Sequence, residues 1–467
     1  MPNIKDAVGV QERPVRILQF GEGNFLRAFA DYMVFEMNRS CSFNSAVCAC
    51  NLRKSGSVAK LHAQNCLYTL VVQGLKNGAI TTECLPINSI TKALNPYENY
   101  AEFAAFAKAE DWRIVISNST EAGIAFCESD KISDEPPSTF PAKLAKLLFE
   151  RYSFFKGDTA KGIIVLPCEL IEKNGDALKA CVLKYAKLWN LPEGFADWVE
   201  SACAFCNTLV DRIVSGYPAH IAAALEQIWE YTDNLAVVAE PYYLWAIQAP
   251  EFVRNEIPFE KCGLNVVFTN DISLYRAQKV TLLNAPHTIM AATGLQMNVK
   301  TVMDALLHPV LGKFVEDCIF GELLETLDLD IKAKTAYANS VLERFKNPYL
   351  KHQLKAISSN AISKTAVRVV PPLREFVKRK GVLPERCVFG LVANAFLAFA
   401  DRSLLPLNAP ETLKTESDFL KFQAILFDSK EIYTESLFAV NGFKELSQKY
   451  AESVKEIGVL ESLKKFF

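Results

Sequence analysis

The stretch KVTLLNAPHT, Lys279 to Thr288, sets a lysine, an asparagine and a histidine among apolar residues. At about 100° per residue, Lys279 and His287 fall roughly 80° apart around a helix, and Asn284 and His287 roughly 60° apart in the opposite sense. All three line one broad flank, and Leu282, Leu283 and Ile289 take the rest. The set suits carbonyl reduction. As hydride arrives at carbon, charge builds on oxygen; a cationic lysine stabilises and then protonates it, an amide donates to it, and an imidazole orients neighbouring hydroxyls. Lysine titrates near 10.4 in water, so this role asks for partial burial and a neighbouring cation. Plainer roles fit the same residues: a lysine snorkelling at a helix rim, an asparagine capping a broken helix and a satisfied core histidine. Pro286 removes a backbone donor and is expected to bend the helix.

A second constellation is QFGEGNFLRA, where Gly21 and Gly23 take the G-x-G positions of a dinucleotide fingerprint between the β-rich run VRILQF and a helical pattern. Leu26 occupies the third glycine position, so an ordinary strand-to-helix turn fits equally. The acidic residue expected after the second strand is absent from CACNLRKSGS, which offers Asn51, Arg53, Lys54 and Ser55. The two basic residues there suit either a 2′-phosphate or a solvated loop, which keeps NADP open beside NAD.

The elements that must carry these residues change character along the chain. Strand-like runs at VRILQF, SAVCAC, LYTLVVQ, RIVISN and GIIVLP alternate with helical patterns such as NFLRAFADYMVFEMN and AKLAKLLFERYSFF. That alternation predicts an α/β, Rossmann-like N-terminal domain with a mostly parallel sheet. After LNVVFTN the strand pattern fades, so an all-α C-terminal domain is expected, with domains at 1–270 and 271–467.

The 467 residues carry a net charge of -2, which leaves no global field for nucleic acid or an anionic membrane. With no signal-like N-terminus and no apolar run long enough to span a bilayer, a cytoplasmic protein with a small-molecule partner is expected. Thirteen cysteines, scattered mostly in apolar segments, read as reduced core thiols. Cys203 and Cys206 form the one CxxC and read as packing, and no metal site is expected.

LQFGEGNFLRAF, SNSTEAG, TLVDRIVSGYP and KVTLLNAPHT together resemble the polyol-specific long-chain dehydrogenase/reductase (mannitol dehydrogenase) family, with motifs in the same order from about residue 14 to at least 400. The resemblance implies an NAD-dependent oxidoreductase acting on CH–OH groups, with Lys279 as general acid/base and Asn284 and His287 as its partners in a cleft between domains. It implies cofactor contacts at Phe20, Gly21, Gly23, Asn24, Phe25, Asn51, Ser117, Asn118, Glu121 and Gly123. Asp211 and Arg212 of the VDRI signature either hold the domains together or touch substrate.

Two departures point within the family. Mannitol dehydrogenases carry an asparagine where this chain has Leu170 and an acidic residue where it has Arg276. With Lys351, His352, Lys364 and Arg368, Arg276 suits a substrate carboxylate better than a neutral polyol, and Arg276, His352 and Lys364 are the expected substrate contacts. The implied reaction is NADH-dependent reduction of D-tagaturonate to D-altronate, a hexuronate to an aldonate. Fructuronate reduction, another polyol dehydrogenation and a non-catalytic dinucleotide sensor are the alternatives. Oligomeric state is left open.

Overall fold

The computed structural model of the chain describes every residue except Glu121, Ala122 and Lys351. The main sheet has six strands: β1 (Val15–Phe20), β2 (Ala46–Cys50), β3 (Ile90–Leu94), β4 (Ile114–Ser117), β5 (Ile164–Pro167) and β6 (Ala204–Phe205). Their spatial order is β3-β2-β1-β4-β5-β6, and every neighbouring pair is parallel. This is the Rossmann-like arrangement, and its order reverses between β1 and β4, where such sheets bind ligands beyond the strand C-termini.

Both faces of the sheet are covered. Ile17, Val47, Ala49, Ile114 and Ile116 enter one apolar cluster, and Leu18, Phe20, Cys48, Cys50 and Val115 enter the other. Alternate side chains of one strand therefore serve different cores, which is why the strands read as near-continuous apolar runs. The run LYTLVVQ does form a strand (Tyr68–Lys76), but in a separate four-stranded sheet. The main sheet's edge place is taken instead by ITKAL, which carries Lys92 at its centre. LNVVFTN contributes Val266–Thr269 to a three-stranded sheet.

The helix expected over NFLRAFADYMVFEMN is two helices, Asn24–Arg27 and Ala30–Ser40, broken where Phe29 takes φ -129°, ψ -81°. Side chains from elsewhere capture the carbonyls at the break: the Tyr68 hydroxyl donates to Arg27 O at 2.6 Å and Arg212 donates to Ala28 O at 2.6 Å. The Arg212 guanidinium also donates to Glu240 O and lies against the rings of Tyr32 and Tyr243. The arginine of the VDRI signature thus fastens strands to the broken helix inside the N-terminal part of the chain.

The expectation that the cysteines are reduced thiols is corrected at one pair. Cys41, just past the helix Ala30–Ser40, and Cys262, in the 3₁₀ turn Glu260–Cys262, form a disulfide with Cα atoms 5.9 Å apart. Their separation of 221 residues hides the pair from any local reading. Cys203 and Cys206 are free and buried.

By packing, the chain divides into two compact units, Met1–Gln73 with Ile80–Ile272, and Gly74–Ala79 with Ser273–Phe467. The turn residues 74–79, which nothing in the sequence sets apart, thus belong to the second unit. The described residues from Ser273 onward form helices and no strand. Their centre is the helix Ala285–Gln296, buried on all sides from Ala285 to Gly294. It packs on the helix Glu385–Ala400, where a Cβ at Gly390 would lie 2.6 Å from Ile289. Asn394 and Gln296 bridge the two helices by donating to Thr288 O and Ala393 O. Among the described residues no helix is long and apolar enough to cross a membrane.

Asp31, fully buried in the second helix of the broken pair, accepts from Gln19 Nε2 at 3.1 Å, and Gln19 Nε2 also donates to Gly21 O at 3.0 Å. Burial raises the Asp31 carboxyl from an ordinary 3.8 to about 7. The folded chain therefore keeps a proton that the unfolded chain releases, and this group makes stability fall as pH rises through that interval. Asp31→Asn, which mimics the protonated form, is expected to flatten the decline in urea midpoint between pH 4 and pH 7.

Candidate active site

The turn after β1 sets the candidate cofactor cleft. Gly21 has φ +122°, and a Cβ there would stand 3.2 Å from Asn118 O and 3.3 Å from Leu26 Cδ1, so conformation and space both demand glycine. Gly23 precedes the helix Asn24–Arg27 with no side-chain cap, and a Cβ on it would meet nothing within 4 Å. Open space and uncapped N–H groups at that point suit an anionic ligand. The Phe20 ring is fully buried, packed on Phe103 and Phe140, so only its backbone faces the turn, where Asn118 N donates to Phe20 O at 3.1 Å. Asn24 accepts from Arg27 at 2.6 Å, and Phe25 stacks on Phe29.

The turn opens on a cleft of about 490 Å³ lined in part by Gly21, Gly23, Arg53, Ser55, Asn118 and Gly123. Ser117, at the C-terminal end of β4, and Ser119 are held by Glu169: its carboxylate accepts from Ser117 Oγ at 3.0 Å, Ser119 N at 2.8 Å and Ser119 Oγ at 2.9 Å. Asn118 Nδ2 donates to Cys168 O at 2.9 Å. Glu121 lies outside the described residues.

Sequence reasoning passed over Glu169, although a carboxylate directly after the apolar run GIIVLP, at the end of a parallel strand, was a signal for it. It also passed over Asn174, buried beside it, which donates to Pro167 O, Glu169 O and Thr208 O and accepts from Thr208 N. Leu170, next to Glu169, is 65% exposed and directs no donor of its own toward a substrate oxygen.

On the other side of the cleft, Glu22 reaches from the glycine turn to accept from Ser57 N at 3.0 Å, closing the loop 51–57 onto it. Asn51 is buried, and its Oδ1 has no hydrogen-bond partner among the described residues. Behind the wall, the ammonium of the buried Lys143 donates to Ser138 O at 2.8 Å and Tyr97 Oη at 3.0 Å. Desolvation lowers its pKa to about 8, so near neutral pH it remains a cation next to residues that line the cleft.

Lys279, Asn284 and His287 lie in the second unit, on a helical run that is not simply bent at Pro286. Lys279 ends the helix Ser273–Lys279, a π-helical turn follows over Val280–Asn284, and the helix Ala285–Gln296 begins with the proline in its first turn. Ala285 N donates to Val280 O, the five-residue bond of a π-turn. The wider turn absorbs the donor missing at Pro286 and brings residues five apart, such as Lys279 and Asn284, closer to one face than an α-helix does. Lys279 and Asn284 are partly exposed, and His287 is buried.

The His287 ring centroid lies 4.2 Å from Phe345 and 5.2 Å, edge to face, from His352. Tertiary structure thus brings two of the expected site residues together and adds Phe345, which no motif marks. Burial lowers the His352 pKa, favouring its neutral form. Lys364 donates to Ile357 O at 2.8 Å, and burial, then the charge of Arg368, lowers its pKa. Arg276 is exposed on the helix that Lys279 ends. Lys351 lies outside the described residues.

Residues 15–261 match the mannitol dehydrogenase Rossmann domain, and residues 271–405 the mannitol dehydrogenase C-terminal domain. The chain belongs to the mannitol dehydrogenase family. Within that family it is 40% identical to an altronate oxidoreductase of Phocaeicola vulgatus over 98% of each chain. It is 39% identical to an altronate oxidoreductase of Bacillus subtilis over 97% of this chain and 95% of that one. Two solved structures share the fold: a D-sorbitol dehydrogenase in substrate-free form (TM-score 0.81, 23% identity, 97% and 95% coverage) and the Pseudomonas fluorescens mannitol 2-dehydrogenase ternary complex with NAD and D-mannitol (0.71, 22%, 97% and 94%).

Two substitutions probe the cleft beyond the glycine turn. Gly21→Ala is expected to raise the NADH dissociation constant about tenfold or more in a fluorescence titration, since the added methyl meets a backbone carbonyl. Glu169→Ala frees Ser117 and Ser119, and is expected to weaken NADH binding and to lower the melting temperature by a few degrees, with about 1–3 kcal/mol lost at the buried Ser117 hydroxyl.

Proposed function

We propose that the chain is an NAD-dependent altronate oxidoreductase that reduces D-tagaturonate to D-altronate and runs the reverse oxidation, as a cytoplasmic enzyme of hexuronate breakdown. The observation that carries this reading is 40% identity over 98% of each chain with a relative of that name, together with the retained lysine, asparagine and histidine. The cleft beyond β1 and β4 fits the cofactor: it has a glycine where a Cβ would collide, an open uncapped helix start, and a buried Asn51 Oδ1 in need of a donor.

Gly21, Gly23 and the adjoining amides would hold the pyrophosphate, with Asn51 and Ser55 toward the ribose and Ser117 to Gly123 toward the nicotinamide. Bound NADH supplies the hydride. Lys279 Nζ stabilises the oxygen of the carbonyl being reduced and gives it a proton, and in the reverse direction takes that proton back. The Asn284 amide donates to the same oxygen beside Lys279, and Leu170 adds no donor to it. His287, steadied by Phe345 and His352, holds a neighbouring hydroxyl. Arg276 is suited to the substrate carboxylate, because the planar fork of donors of an arginine matches a carboxylate in two bonds, whereas burial favours neutral His352.

NADH consumption with D-tagaturonate, D-fructuronate and D-fructose offered separately tests the reading. Turnover with tagaturonate well above the other two is expected; preference for fructuronate would keep the chemistry and overturn the substrate, and no turnover with any of them, NADH and NADPH both tried, would leave a dinucleotide-binding protein without catalysis. Lys279→Ala is expected to lower kcat by about 10² to 10⁴-fold while leaving the NADH dissociation constant within about twofold. Unchanged kcat in that variant would remove the lysine from the mechanism.

A further inference from the structure

We propose that Cys318, Glu322 and Cys387 form a buried site for a zinc-type divalent cation, which staples the helix Pro309–Cys318 to the helix Glu385–Ala400. One ligand atom from each residue lies within 4.8 Å of the others, and among the described residues this is the one such group. The two sulfurs stand 3.9 Å apart. Thiolates bound at about 2.3 Å to a tetrahedral zinc stand about 3.8 Å apart, so the spacing already fits that coordination. A disulfide instead needs the sulfurs at about 2.05 Å.

The backbone explains how the set forms without any ligand spacing in the sequence. Cys318 is the last residue of its helix, and Glu322 sits four residues on in a π-turn, Ile319–Leu323, so both face the same way. Cys387 lies in the first turn of the opposing helix. Glu322 is fixed by that helix start, accepting from Arg386 N at 2.8 Å on one oxygen and Cys387 N at 2.9 Å on the other. Each carboxylate oxygen has a second lone pair, so these bonds orient the group and leave it able to coordinate.

The charges also balance. Two thiolates and a carboxylate carry three negative charges; a divalent cation and Arg386, whose guanidinium lies 3.5 Å from Glu322, carry three positive ones. Asp317, which shares Arg386, is separately paired with Lys313 at 3.0 Å. A pocket of about 260 Å³ lined by Glu385, Tyr450 and Phe466 lies at the start of the helix that carries Cys387.

The test is a titration of the full-length, reduced and chelator-stripped protein with Co²⁺. A sulfur-to-cobalt charge-transfer band that saturates at about one equivalent per chain and is abolished by Zn²⁺ is expected. Cys387→Ala should lose the band, and Cys203→Ala with Cys206→Ala should keep it. Because Cys387→Ala leaves a cavity, Glu322→Gln, which retains an acceptor for the helix start, serves as the second variant and should bind Co²⁺ about tenfold more weakly or worse. The site is overturned if the wild-type chain shows no such band while its thiols titrate as reduced, or if the band survives in Cys387→Ala.

Discussion

At Gly21 the chain turns out of the sheet at φ +122°, with the Asn118 carbonyl oxygen 3.2 Å from where a Cβ would stand. The cleft beyond β1 depends on this contact. It lies at the ends of β1 and β4, where the strand order reverses, and the next helix starts at Gly23 beside the cleft. The surrounding polar groups then hold that geometry from behind: Gln19 bonds the Gly21 carbonyl, Glu22 ties the turn to the loop 51–57, and Glu169 holds the loop that follows β4. Each is a side chain satisfying backbone groups that a tight turn leaves without secondary-structure partners.

The helical unit solves a different problem by similar means. A proline inside a helix that carries the candidate site residues Lys279, Asn284 and His287 removes a hydrogen bond and clashes with the preceding turn. Here a π-turn takes up the mismatch just before the proline, so the helix continues and presents Lys279 and Asn284 from a widened turn. A second π-turn, over Ile319–Leu323, aims Glu322 at the opposing helix start. In both places one extra residue in a helical turn re-aims a polar group without breaking the packing of the apolar face.

Much of this was legible from residue order alone. Four of the six main-sheet strands announce themselves as short apolar runs because both faces of the sheet are buried, and the G-x-G turn and KVTLLNAPHT stand out because glycine and polar side chains interrupt apolar periodicity. What was missed has physical causes. β3 carries Lys92 and lies at a sheet edge, where one side of a strand tolerates charge, whereas LYTLVVQ has the composition of a central strand and pairs in another sheet. Glu169 has its position after a strand as its one signal, and Asn174, at the start of the helix Asn174–Leu188, has none; folding buries both against the backbone groups they satisfy.

Residue order alone carries the local propensities: where most strands and helices form, which turn needs glycine, and which polar side chains share a helix flank. These follow from interactions among residues a few positions apart, and their periodicity is written in the chain. Long-range packing decides which strands pair, that Cys41 meets Cys262, that His352 and Phe345 flank His287, and that two cysteines and a glutamate converge between helices. Such contacts join residues up to hundreds of positions apart, and they are selected by the packing and hydrogen-bond satisfaction of the whole core, which no local pattern records.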